Sequence, residues 1–294
     1  MVNLQGVAPP VVTPFRGEEL AEDWLRENLR KYSVTGLAGI VVLGSNGEAV
    51  HLTHKEKLRV IEVARESLPP GMWLMVGAGE ATTRSTVEMA KEAGSLGAQA
   101  VLVAPPFYYK ESMKPAVIKK HYLAVADKSP VPVLLYNVPQ FTGINIEPSL
   151  VAELAQHPNI VGIKDSSGNI SQLTDILRMV PDGFKVFVGS ALVFLPALCV
   201  GAHGGILAAA NVLPSQFVKL EELFRKGALE EARGLQWSLM PISRAVTAGY
   251  GIGGLKAAMD MVGLSGGDPR LPLKKPDANG LAHLRELLSQ WIQG

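Results

Sequence analysis

Lys164 closes a short apolar run, Ile160-Val161-Gly162-Ile163-Lys164, which is followed by Asp165-Ser166-Ser167-Gly168. The run reads as a buried strand and the polar tetrapeptide as the turn that ends it. A lysine at the last position of such a strand is desolvated on one side. That setting disfavours the ammonium form and leaves an amine that attacks a ketone to make a Schiff base. The competing reading is a lysine snorkelling from a strand end to solvent. Tyr136 ends a second aliphatic run, Val131–Tyr136. On neighbouring parallel strands, roughly 4.8 Å apart, its hydroxyl reaches a carbinolamine on the lysine and shuttles protons. Otherwise it is a strand-end aromatic with a wet hydroxyl.

Gly44-Ser45-Asn46-Gly47-Glu48 offers small residues, a hydroxyl and an amide just ahead of a helix. Backbone N–H groups in such a turn bind a carboxylate. An unliganded loop is the alternative. Tyr108 and Tyr109 follow Pro105-Pro106 on a loop, where paired tyrosines mark an interface more often than catalysis. No metal site is expected. His51 and His54 fit one helical turn, but no further ligand stands at zinc-site spacing. His121, His157, His203 and His283 are scattered and suit solvated or capping roles.

Elements that would carry these residues alternate along the chain. Strand candidates are Val7–Val12, Gly39–Leu43, Trp73–Val76, Ala100–Ala104, Val131–Tyr136, Ile160–Lys164, Val186–Val188 and Gly205–Ala208. Several lack any charge, as parallel strands covered on both faces do. Helix starts lie between them: a capping box at Thr53-His54-Lys55-Glu56, and prolines near the first turns of Val117–Val125 and Leu150–Ala155. Eight such units predict a (β/α)8 TIM barrel over residues 1–226. Pro214–Arg225 would complete it, and Leu229–Val246, Gly254–Val262 and Leu281–Trp291 would form an appended helical extension, 227–294. An open doubly wound sheet is the other candidate, but the first strand ends Val12-Thr13-Pro14-Phe15, without a glycine-rich phosphate turn. In a barrel, the carboxyl ends of the strands bring Thr13, Ser45, Asn46, Tyr108, Tyr136, Lys164, Gly189 and Ile206 to one mouth.

Composition narrows the classes further. Lys and Arg number 28 against 27 Asp and Glu, a formal net charge of +1, so nothing points to nucleic acid or an anionic membrane surface. The single cysteine, Cys199, excludes a disulfide framework within the chain and suits a reducing cytoplasm. The start Met1-Val2-Asn3-Leu4-Gln5-Gly6 lacks the pattern of a signal peptide. Val186 to Val218 contains no Asp, Glu, Lys or Arg, which is long enough to span a bilayer. Its glycines and prolines divide it, so it reads as strand, helix and strand, all buried, in a soluble protein.

The motifs together resemble the dihydrodipicolinate synthase / N-acetylneuraminate lyase superfamily of Schiff-base pyruvate aldolases, over essentially the whole length. The matches are Gly44-Ser45-Asn46-Gly47-Glu48, Pro106-Phe107-Tyr108-Tyr109, Tyr136-Asn137-Val138-Pro139, Gly162-Ile163-Lys164-Asp165 and Ala210-Asn211-Val212. The resemblance implies that Lys164 condenses with pyruvate, or with a 2-oxo acid that yields it, and that no cofactor is needed. The iminium is an electron sink, so a bond one carbon further out can form or break through an enamine. Ser45, Tyr108 and Tyr136 would form the proton relay, with Tyr108 reaching the neighbouring subunit of a homodimer, commonly paired into a homotetramer. Ser45 and Asn46 would hold the pyruvyl carboxylate, with Gly189 and the Ile206 carbonyl beside the adduct. Two departures stand out. Lysine-biosynthesis members carry two threonines at Ser45-Asn46 and an arginine at Phe141, and a phenyl ring cannot replace that arginine's grip on a distal carboxylate. Ser-Asn, Lys164-Asp165-Ser166 and Gly251-Ile252-Gly253-Gly254-Leu255-Lys256 are similar to the 4-hydroxy-2-oxoglutarate aldolase branch. Cleavage to pyruvate and glyoxylate, with glyoxylate near Ser45, Asn46 and Ser166, is therefore the first expectation. The synthase is the alternative, and a catalytically silent barrel that binds a 2-oxo acid is the non-enzyme alternative.

Overall fold

A computed structural model describes residues 4–292. Its main sheet is an eight-stranded parallel one: β1 (Gly6–Ala8), β2 (Gly39–Val42), β3 (Trp73–Gly77), β4 (Ala100–Val103), β5 (Val133–Asn137), β6 (Ile160–Asp165), β7 (Lys185–Val188) and β8 (Gly204–Ile206). From β2 to β8 each strand pairs with the next, and β8 pairs back on β1. A Pro10–Val41 bridge, with hydrogen bonds from Ala38 N to Val7 O and from Val41 N to Pro9 O, closes β1 against β2. The result is the (β/α)8 TIM barrel expected.

Strand boundaries differ from expectation where the backbone forbids a ladder. The first strand stops at Ala8 instead of Val12 because Pro9 and Pro10 have no N–H to donate. Pro132 delays β5 to Val133. Leu43 leaves β2 because it takes a left-handed φ of 56°. Ala208 belongs to a 3-10 turn, Ala208–Asn211, and not to β8. An unforeseen hairpin, Phe15–Arg16 with Glu19–Leu20, follows β1.

The helices are α1 (Glu22–Ser33), α2 (His54–Ser67), α3 (Thr83–Ser95), α4 (Pro115–Ala126), α5 (Pro139–Thr142), α6 (Pro148–Leu154), α7 (Ile170–Met179), α8 (Phe194–Cys199), α9 (Pro214–Arg225), α10 (Leu229–Arg244), α11 (Gly251–Met261) and α12 (Ala278–Leu288). The Thr53–Glu56 capping box starts α2 as read from the sequence, with reciprocal bonds of 3.3 and 2.8 Å. Proline occupies the first turn of α4, α6 and α9. The expected helix Leu229–Val246 ends at Arg244 and widens into a π turn, Ala245–Gly249, closed by a bond from Tyr250 N to Ala245 O. α12 begins three residues early because the Asp277 side chain caps it, accepting from Gly280 N at 2.8 Å.

Between Val186 and Val218 the chain does run strand, helix, strand, but it is not wholly buried: Cys199 and Gly201 are exposed. No helix among the described residues is long and apolar enough to cross a membrane. One histidine also departs from expectation. His121 is 5% exposed, one turn from the core residues Ile118 and Val125 on the inner face of α4. Its Nδ1 meets Thr83 Oγ1 at 2.9 Å, and burial pulls the ring down to a pKa of about 4.

Apolar packing falls into two shells. A large cluster fills the space between strands and helices. A smaller one lies inside the barrel and includes Ala8, Val41, Trp73, Met75, Leu134, Phe187 and Ile206, as in barrels plugged by side chains from alternate positions.

Candidate active site

The alternation of side chains along a strand decides what enters the mouth. In β5, Val133 and Leu135 face the helices, while Leu134 and Tyr136 face the barrel interior. Lys164 stands in register with Tyr136 on one side and with Phe187 on the other. Both partners belong to the inner shell, so Lys164 points inward as well. It is 3% exposed and Tyr136 is 7% exposed. The lysine Nζ lies 4.3 Å from the centre of the tyrosine ring, and the tyrosine hydroxyl is 3.4 Å from Ser45 Oγ. That hydroxyl pair is longer than a good O–H···O bond. Catalytic contacts of this kind commonly tighten once substrate is bound.

What holds the pair in register lies one residue further along each strand. Asn137 Nδ2 donates to Asp165 Oδ1 at 2.7 Å across the β5–β6 seam, and both residues are buried. Asn137 Oδ1 accepts from Ile146 N, and Ser167 Oγ donates to Asp165 Oδ2 at 2.7 Å. Asn145 and Gln172 extend the network. Ser166 N donates to the Asn137 carbonyl, and Gly189 N to the Asp165 carbonyl at 2.7 Å. This polar clamp escaped the sequence reading. Its signal was present in Tyr136-Asn137 and Lys164-Asp165, where two polar side chains follow the two candidate catalytic ones.

Gly189 has a plain steric role. A Cβ there would lie 1.9 Å from Ser166 Oγ and 3.1 Å from Lys164 Cε. Only hydrogen fits, so the end of β7 leaves the room that the lysine stem occupies.

Ser45, Asn46 and Gly47 form a 3-10 turn at the end of β2. The amides that open such a turn have no partner inside it, and Ser45 and Asn46 are half-buried at the mouth. Thr13 Oγ1 donates to the Gly47 carbonyl at 2.7 Å, tying the turn to the chain beyond β1. Two non-glycine residues with left-handed backbone bracket it, Leu43 at φ 56° and Glu48 at φ 52°. Glu48 is the second feature the sequence reading missed. Its carboxylate is wholly buried, pairs with Lys256 Nζ at 2.5 Å, and accepts from Arg270 N at 2.9 Å.

Other expected residues are placed as follows. Ile206 ends β8, fully buried in the inner shell. Phe141 is 62% exposed in α5, directly after β5. Tyr108 is not brought to the Ser45–Tyr136 pair within one chain. It is 81% exposed and sits edge-on to Tyr109, ring centres 5.0 Å apart.

A buried lysine and tyrosine at the carboxyl-end mouth of a (β/α)8 barrel suit a lyase of the class I aldolase type, and family membership shows that class, which uses pyruvate through a lysine Schiff base. Within that class, the chain belongs to the dihydrodipicolinate synthetase family, whose model matches residues 3–291. It is 38% identical over 291 residues to a 4-hydroxy-tetrahydrodipicolinate synthase of Methanosphaerula palustris, covering 98% of this chain and 99% of the relative. It is 36% identical over 287 residues to the Archaeoglobus fulgidus protein of the same name, covering 97% of each. Among solved structures, dihydrodipicolinate synthase DapA-2 of Bacillus anthracis superposes with a TM-score of 0.95 at 28% identity over the full length of both chains. The Thermotoga maritima dihydrodipicolinate synthase gives 0.93 at 29% identity, over 97% of this chain and 98% of that one. These names fit the synthase alternative better than the 4-hydroxy-2-oxoglutarate aldolase placed first on sequence.

Proposed function

We propose that this protein condenses pyruvate with aspartate semialdehyde as a 4-hydroxy-tetrahydrodipicolinate synthase. The observation that carries the chemistry is the inward pair of Lys164 and Tyr136, with Nζ 4.3 Å from the ring centre. The relatives' names carry the choice of aldehyde. Lys164 Nζ attacks the pyruvate ketone, and a carbinolamine forms. Tyr136 hands a proton to its hydroxyl, water leaves, and the iminium remains. Loss of a methyl proton gives the enamine, whose carbon attacks the aldehyde while the aldehyde oxygen takes up a proton. The iminium re-forms, the amine of the semialdehyde adds to it, and the ring closes as the bond to Lys164 Nζ breaks and the free lysine returns. Ser45 continues the relay from the tyrosine hydroxyl, and the Ser45–Asn46 turn takes the pyruvyl carboxylate. Ser166, Gly189 and Ile206 line the adduct.

Tyr108 belongs to the same reading as a residue delivered across a subunit boundary. Phe107, Tyr108 and Tyr109 are 45%, 81% and 73% exposed. Consecutive exposed aromatics of this kind support a second copy of the chain as their cover, in a homodimer paired into a homotetramer.

Phe141 favours a second reading, cleavage of 4-hydroxy-2-oxoglutarate. An arginine on a distal carboxylate is worth about 1.5–3 kcal/mol, roughly a ten- to hundredfold effect on kcat/KM. Phe141 cannot supply it. A basic side chain beside α5 is Lys110, whose Cδ lies 3.4 Å from where a Cβ on Gly143, the residue after α5, would be. Under the synthase reading, Lys110 takes the arginine's part. The test is kcat/KM for both reactions on one preparation. The synthase reading expects condensation to exceed cleavage, with Lys110→Ala lowering condensation about tenfold or more. Faster cleavage, with Phe141→Arg narrowing the gap, would establish the aldolase in its place.

A further inference from the structure

α11 (Gly251–Met261) follows the eight strands in sequence, and it carries a lysine with no exposed surface. Lys256 Nζ meets Glu48 Oε1 at 2.5 Å, both side chains 0% exposed, and donates to the Asp268 carbonyl at 3.0 Å. Its ammonium lies 4.4 Å from the centre of the Phe15 ring, and the Arg270 guanidinium lies 4.3 Å from the same centre. Arg270 also binds the His51 carbonyl and both oxygens of Glu56, at the start of α2. Glu48 Oε2 receives Arg270 N at 2.9 Å and His51 Nδ1 at 3.2 Å. Glu48 is thus tied on both carboxylate oxygens to the segment after α10, and it is held at a left-handed φ of 52°. The residue on the other side of the turn, Leu43, carries the same kind of strain.

Strain at non-glycine residues persists only where surrounding contacts over-determine it. A charge taken wholly out of water is similarly costly unless its partner is fixed. Both costs converge on the four residues between the strained positions, Gly44 and the turn residues Ser45, Asn46 and Gly47. We propose that the Glu48–Lys256 pair is a positioning device: it sets the backbone of the Ser45–Asn46 turn from beneath, so that α11 takes part in binding the pyruvate carboxylate without touching it. This rests on the reading that the turn receives that carboxylate.

Two variants separate positioning from general support. Glu48→Asp keeps the charges but shortens the reach, pulling the turn or breaking the pair. Glu48→Gln with Lys256→Met removes both charges at similar volume, an exchange that a fold often tolerates. Each full-length protein is checked by circular dichroism. Each is then titrated with pyruvate, and separately with acetone, in the presence of borohydride, reading reduced adduct on Lys164. Acetone has the ketone and no carboxylate, so the ratio of half-saturating concentrations isolates the turn. Wild type should favour pyruvate. The proposal expects that preference to fall about tenfold or more in either folded variant, because ångström-scale misplacement costs up to about 10²-fold, while acetone labelling stays within about twofold. An unchanged preference overturns it. So does a parallel loss with both ketones, or loss of folding in both variants, since either assigns the pair to the barrel as a whole. If wild type labels equally well with both ketones, the carboxylate reading of the turn is what fails.

Discussion

Side chains at the mouth work because of what is absent as much as what is present. Gly189 is the clearest case, since a single methyl would collide with Ser166 Oγ at 1.9 Å and crowd the Lys164 stem at 3.1 Å. Relief requires the lysine amine or the β7 end to move by something near an ångström, and shifts of that size cost up to about 10²-fold in rate. Gly189→Ala should therefore lower kcat/KM by roughly ten- to a hundredfold, with an unfolding midpoint close to wild type because the site is partly open. Steady-state kinetics beside a thermal melt checks this, and unchanged kinetics would remove Gly189 from the site. The meeting of Lys164, Tyr136 and Ser45 at one mouth was legible from their positions at strand ends. The Glu48–Lys256 pair was not, since its partners are far apart in sequence and Lys256 sits among Leu255, Ala257, Ala258 and Met259. A lysine on so apolar a helix was the available hint.

Elements show the same division. Strand identity followed from short charge-free runs, and proline moved their ends. Helix starts marked by the Thr53–Glu56 capping box or by proline were readable, whereas the Asp277 cap of α12 and the π turn at Ala245–Gly249 were not. Burial of a polar residue on an inner helix face was the harder matter, and His121 on α4 is the example. Its ring is buried against Tyr122 and bonded to Thr83, and burial lowers its folded pKa to about 4 from an ordinary value near 6.5. Between those values the unfolded chain binds a proton that the folded chain refuses. Stability is thus full above about pH 6.5 and is lost as pH falls toward 4, by about 3 kcal/mol at most. Denaturant unfolding across that range should show the decline. His121→Gln should flatten it, and an identical slope in the variant would place the titrating group elsewhere.

At the scale of the molecule, the barrel converts a one-dimensional pattern into a single chemical mouth. Parallel strands in register bring Tyr136 and Lys164 side by side from positions 28 residues apart, and the Asn137–Asp165 bond between their successors keeps them there. The closing bridge at Pro10–Val41 and the Thr13–Gly47 bond bring the Ser45 turn round to meet them. The proposed function, whichever aldehyde is used, requires the Lys164 amine to attack a 2-oxo acid. The direct test is reduction with borohydride in the presence of pyruvate, followed by peptide mass mapping of the intact enzyme's digest. One reduced pyruvyl adduct on the peptide containing Lys164, absent in Lys164→Arg, is the result expected, because a guanidinium stays protonated and cannot attack a carbonyl. Label on a different lysine, or none at saturating pyruvate, would contradict the account.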